Sequence, residues 1–194
     1  MKKLVAIFFF ILIVPISGIA ATKYCLYCNS SLLIEAAKVA KSQVGIIEKS
    51  GANDGEVEKY SIAVGNPPRS PYCAAGLWWS FKEACYKLNL PLSAIPFPRT
   101  GLANKIFDYA KRNGTKSESA AKRYDFIVWR RANTIFGHIE FIDKVLSSGF
   151  VQTIAFNSSK NIDGKACQGV FVQKRNLRHP LGRLKFRGII GFSS

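Results

Sequence analysis

Acidic residues are scarce in this chain: 12 Asp and Glu stand against 28 Lys and Arg, a formal net charge of +16 over 194 residues. Such a surface repels cations and draws polyanions, and nucleic acid, anionic lipid and anionic cell-wall polymer all qualify on charge alone. Histidine is scarcer still, with only His138 and His179, and there is one C-x-x-C, formed by Cys25 and Cys28. A zinc site would need two more ligands at matching spacing, so no metal and no other cofactor is implied. No motif recurs every 20–50 residues and no low-complexity tract is present, which argues against a solenoid. Beyond the N-terminal apolar run there is no second transmembrane candidate. The charge comes without an RNA- or DNA-binding signature, and aromatic residues do not interleave with a basic stripe. Nucleic acid is therefore not an expected partner.

What is present begins with a leader. Met1, Lys2 and Lys3 precede an apolar run over residues 4–16, and Ser17, Gly18, Ile19, Ala20 and Ala21 supply small residues for a cleavage site. This pattern predicts a signal peptide over residues 1–21, cut after Ala20 or Ala21, with residues 22–194 as a single domain. The run is short for a membrane span and Pro15 interrupts it, so an uncleaved anchor is the second reading. Cleavage leaves 26 basic and 12 acidic residues, +14. The expected location is secreted or periplasmic, without stable membrane insertion after cleavage, and as a monomer. In an oxidising compartment five cysteines suggest disulfides with one thiol left over. A local bridge between Cys25 and Cys28 and a second between Cys85 and Cys167 would leave Cys73 as the odd one.

Periodicity divides the rest. Ser30 or Ser31 can cap a helix through Leu33, Ala36, Ala40 and Val44, and residues 57–63 form a short helical piece. A helix is expected from Cys73 to about Leu88, apolar on most sides and hence buried. A third opens at Thr100 or Gly101 and stops at Asn113 and Gly114. The period then becomes two, with strands over residues 124–129, 135–142, 149–156, 169–172 and 186–192. Helices followed by strands predict an α+β fold on an antiparallel sheet.

The chemistry centres on Cys73. Pro67, Pro68 and Pro71 stiffen the loop that delivers it to the first turn of a helix, where free N–H groups and the macrodipole favour a thiolate. A base must accompany a nucleophile of this kind. His138 follows Gly137 on a predicted strand, and alternation puts His138 and Glu140 on one face with Ile139 and Phe141 on the other. His179, in a basic, proline-flanked loop, reads as exposed. A third group fixes the base's tautomer. Asn157, at the end of the next strand, is one candidate and Glu140 is the other. Asp125 reads as structural, and the aromatic rings of Tyr72, Trp78 and Trp79 are candidate sugar platforms, with core packing the first reading for the two tryptophans.

An ordered set of short motifs carries a resemblance. Ser42-Gln43-Val44-Gly45, Glu48, Asn53-Asp54-Gly55, Tyr60, Pro71-Tyr72-Cys73-Ala74-Ala75, Tyr124-Asp125-Phe126-Ile127, Gly137-His138-Ile139 and Thr153-Ile154-Ala155-Phe156-Asn157 occur in the order seen in CHAP domains. These are papain-like cysteine, histidine-dependent amidohydrolases and peptidases, and the chain resembles them over about residues 33–192. The resemblance implies a papain-like α+β fold with N-terminal helices packed on an antiparallel sheet. It also implies cleavage of amide bonds in bacterial peptidoglycan, as an N-acetylmuramoyl-L-alanine amidase or an endopeptidase. Cys73 would be the nucleophile, His138 the base and Asn157 a polar member of the site. The chain departs from the pattern at three places. Ala155 stands where many such domains carry glutamate, Gly76 where they carry a bulky apolar residue, and Tyr124 where they carry glycine. The missing glutamate motivates the alternative, a non-catalytic wall-binding protein with a degenerate site, and leaves the third member open between Asn157 and Glu140.

Overall fold

Among the described residues four α-helices accompany a seven-stranded sheet, and the sheet begins earlier in the chain than periodicity implies. The computed structural model describes residues 20–147, 149–177 and 179–194. The expected leader lies outside the described residues except for Ala20 and Ala21, which open strand β1 (Ala20–Tyr27). Next come α1 (Ser30–Ser42), α2 (Glu58–Ala63), α3 (Cys73–Lys87) and α4 (Ala103–Asn113). The remaining strands are β2 (Thr115–Ala120), β3 (Phe126–Arg130), β4 (Gly137–Val145), β5 (Phe150–Ile162), β6 (Lys165–Asn176) and β7 (Lys185–Ser193). Their order across the sheet is β2-β1-β7-β3-β4-β5-β6. The α+β class holds, with two corrections. A strand precedes the helices, and β1 runs parallel to β7, with Lys23 opposite Ile189 and Tyr27 opposite Ser193. The other pairings are antiparallel.

The main core lies between the helices and one face of the sheet. Leu32, Ala36 and Ala40 of α1 and Leu77, Phe81 and Ala84 of α3 pack with Phe126, Ile139, Phe141, Ile154 and Phe156. A smaller cluster, which includes Ile127, Trp129, Ile142 and Ile189, fills the opposite face. Asn29, not Ser30 or Ser31, caps α1, because its side-chain oxygen accepts from the N–H groups of Ser31 and Leu32. Gly76 is forced by packing: a Cβ there would lie 2.2 Å from the Phe156 ring. Tyr124 takes a left-handed φ of 76°, a conformation that favours glycine, which gives that departure from the pattern a backbone meaning.

Two polar contacts tie β1 into the fold. Lys23 is 2 % exposed, sits 2.7 Å from the Asp125 carboxylate and also donates to the Ala120 carbonyl. Burial pushes the Asp125 carboxyl up, and the Lys23 charge and hydrogen bond act against it. Asp125 is thus structural, as the sequence suggests. The cysteines depart from the expected pairing, since all five are free thiols in this structure. Cys25 lies within β1, while Cys28 is buried beyond its end. The Cys28 thiol is pushed up to about 12, by burial first and by neighbouring Cys85 second. No described helix is long and apolar enough to cross a membrane.

Candidate active site

The loop before α3 is fixed from several sides. The Ser61 hydroxyl donates to the Ser70 carbonyl, the Ser70 hydroxyl to the Pro67 carbonyl, and the Asn53 amide to the Arg69 carbonyl. Tyr72 is fully buried, stacks on Tyr60 with ring centroids 5.5 Å apart, and donates its phenol proton to Glu48 at 2.8 Å. Cys73 therefore enters the helix from an anchored position. No side chain caps the N-terminus of α3, so the first backbone N–H groups beside the sulfur keep their hydrogen-bonding capacity.

Gly137 opens β4 opposite Arg130, and a Cβ on it would lie 2.6 Å from the Trp129 carbonyl oxygen. That close approach sets the next residue beside α3. The Cys73 Sγ is 4.0 Å from the Gly137 oxygen, and the thiol lies close enough to the His138 ring to raise its pKa. His138 Nε2 lies 3.0 Å from Glu140 Oε1. Sequence-distant Cys73 and His138 thus meet, with Glu140 behind the imidazole.

Glu140 is fully buried, and its charge is answered on several sides. Arg175 donates through Nε at 2.9 and 3.0 Å and through Nη2 at 2.6 Å, and Thr153 donates its hydroxyl at 2.6 Å. Strand register assembles this group. Phe141 pairs with Ile154 and Ile142 with Thr153, which carries Glu140 opposite Ala155. Thr153 pairs with Gln173 and Val151 with Arg175 on the next ladder. Glu140 thus brings a carboxylate to His138 from β4, across the ladder from Ala155 of β5. Arg175 and Thr153 were not legible as site residues, because only strand register connects them to Glu140.

The electrostatics follow from this geometry. Burial alone would push the imidazole down, but hydrogen bonds and charge from Cys73 and then Glu140 outweigh it and hold His138 at about 10. Burial alone would push the Glu140 carboxyl up, and His138 and Arg175 bring it down to about 2. The raised His138 and the lowered Glu140 together favour an imidazolium held against a carboxylate, the form in which a histidine ring donates from both nitrogens.

Asn157 stands apart. It has a φ of 53° at an irregularity of the β5–β6 ladder between Ala155 and Ser158. Its amide donates to Asn53 at 2.7 Å and to Glu48 at 3.5 Å, and the His138 side-chain hydrogen bonds go to Glu140 and Cys73. Of the two candidates for the third position, Glu140 has the contact and Asn157 braces the Glu48–Tyr72 support under the nucleophile. Trp78 is buried beneath the Arg99 guanidinium, and His179 is exposed. Cys73 opens to a cleft of about 320 Å³ between the Asn66–Pro67 and Ser70–Pro71 segments and Leu102, Ile135 and Phe136. Among the described residues no group of three or more His, Cys, Asp and Glu side chains could hold a metal ion. Comparisons with protein-family models, curated proteins and solved structures give no match.

Proposed function

We propose that this protein is a cysteine hydrolase that cuts amide bonds of bacterial peptidoglycan, on a papain-like arrangement of helix and sheet. The observation that carries the reading is the relay from the Cys73 sulfur through His138 to Glu140, clamped by Arg175. The resemblance to CHAP domains, the strongly basic composition and the leader-like N-terminal sequence support the wall as substrate.

The chemistry follows from the parts. The Cys73 thiolate attacks the amide carbon, and the uncapped N–H groups at the start of α3 receive the negative oxygen. His138 gives its proton to the nitrogen as the carbon–nitrogen bond breaks, and the amine departs from a thioester. The neutral imidazole then takes a proton from water as the water oxygen attacks the thioester. Collapse expels the thiolate and releases the acid, and the imidazolium is restored. Glu140 holds the ring orientation and its positive charge throughout. The alternative, a wall-binding protein without activity, is motivated by Ala155; the Glu140 carboxylate at His138 supports the catalytic reading over it.

Purified peptidoglycan, digested and resolved by mass, tests the reading. The wild-type protein is expected to release muropeptides whose new ends identify the bond, and Cys73→Ala and His138→Ala are expected to release none. Equal release by all three would refute the assignment.

A further inference from the structure

Beside the cleft that holds Cys73 lies a second chamber, of about 480 Å³, and the two share Leu102 and Ile135 as their common wall. The cleft side is largely apolar, with Ile135 65 % and Phe136 59 % exposed. The chamber side is basic. Lys105, Asp108 and Arg112 recur at helical spacing along α4, and Arg130 faces them from the end of β3. Asp108 is already paired with Arg187, and among the described residues no carboxylate pairs with Lys105, Arg112 or Arg130. Three cations therefore line one small chamber with the sole anion there neutralised from behind.

The wall between the two spaces is fixed. Buried Asn104 donates to the carbonyls of Ile135 and Phe136 at 3.0 and 2.9 Å, and its own oxygen accepts from Arg187 at 2.8 Å. The segment joining β3 and β4 also closes on itself, with Arg131 N–H donating to the Phe136 carbonyl. These bonds tie the exposed apolar side chains of Ile135 and Phe136 to α4, next to the cationic chamber.

We propose that this chamber is a subsite for a free carboxylate of the substrate peptide, an inference that rests on the hydrolase reading for the identity of the chain that fills the cleft. At about 1.5 Å per residue, α4 carries Lys105 some ~5 Å and Arg112 some ~15 Å past Leu102. An extended peptide advances roughly 3.5 Å per residue, so the carboxylate stands about one to four residues beyond the Leu102–Ile135 wall. Guanidinium groups match a carboxylate by paired N–H donors, and a neutral carboxamide at the same place gains none of the charge. The substrate class is therefore an acidic wall peptide, in preference to one whose carboxylates are amidated.

The test measures binding by the full-length Cys73→Ala protein, so that no turnover intervenes. Two fluorescent muropeptides of one sequence are compared at low salt, one with free carboxylates and one fully amidated. The acidic form is expected to bind about tenfold more tightly, and that preference is expected to vanish in Cys73→Ala carrying Lys105→Ala and Arg112→Ala. Both added positions are exposed, and an unchanged melting temperature verifies the fold. Equal affinity for the two peptides, or a preference that survives the added substitutions, overturns the subsite. So does an equal loss of the preference when Lys174→Ala replaces the chamber changes, since that marks general charge. Wall release by the wild type is scored separately: its absence sinks the hydrolase reading, whereas the peptide preference alone decides the chamber.

Discussion

Replacing Glu140 by glutamine keeps the volume and removes the charge on which the site turns. The carboxylate is fully buried and receives His138, Thr153 and Arg175, so its loss strands the Arg175 guanidinium against a neutral amide. Breaking one partner from a buried pair costs about 3–5 kcal/mol. The Arg175 side chain keeps 17 % exposure and can regain some water, which places the cost near the lower end, about 3 kcal/mol. For a domain of this size that is a fall in melting temperature of roughly 6–12 °C. Catalysis should fall about 10²–10⁴-fold, the range of a misplaced acid–base group. The more telling readout is the pH dependence of Cys73 alkylation by iodoacetamide. Wild-type His138 is held at about 10, so its proton stays beside the sulfur across neutral pH. In Glu140→Gln the contribution of Cys73 remains and that of Glu140 is gone, so the histidine-linked inflection moves to lower pH. Stability carries the same signature. A raised histidine contributes stability that is full below about 6.5 and lost as pH rises through about 10. The lowered Glu140 contributes above about 4.5 and loses its part as pH falls through about 2. An unshifted alkylation profile together with wild-type melting would refute the claim that Glu140 is the charge behind His138.

Three further outcomes are expected. The pair Glu140→Ala with Ala155→Glu returns a carboxylate from the opposite strand and should recover at least about tenfold of the muropeptide release lost in Glu140→Ala alone; no recovery would show that position 155 does not reach the imidazole. Lys23→Met leaves Asp125 buried without its cation and should cost about 3–5 kcal/mol in denaturant unfolding, whereas a cost below ~1 kcal/mol would make the pair incidental. Gly76→Ala should destabilise by about 1–3 kcal/mol in the same assay, because overpacking on the Phe156 ring outweighs the gain in helix propensity; a stabilised variant would mean that the ring shifts freely.

The helices were legible because their signals are local. Cys73 falls at the first residue of α3, as the proline-rich loop and the apolar run imply. Five strands were read near their observed places, and the two missed have physical reasons. β2, Thr115–Ala120, is polar and half-exposed at the edge of the sheet, so it shows no apolar alternation. β1 follows closely on the N-terminal apolar run, whose hydrophobicity masks any period. Within the site, His138 and Glu140 were legible as a same-face pair on one strand. The choice between Glu140 and Asn157 was not, because it turns on a left-handed residue at a ladder irregularity that swings Asn157 toward Asn53. Arg175 lies 35 residues from Glu140 and two strands away, a relation that register creates and local pattern does not encode.

Strand β7 lies between β1 and β3, and among the described strands it comes last in the chain. Until residues 185–193 arrive, β2 and β1 form one fragment and β3 through β6 another, with nothing to zip them together. Assembly of the sheet therefore waits for residues 185–193, and a product truncated before Lys185 has two half-sheets with unmatched edges in place of a finished platform for the cysteine helix.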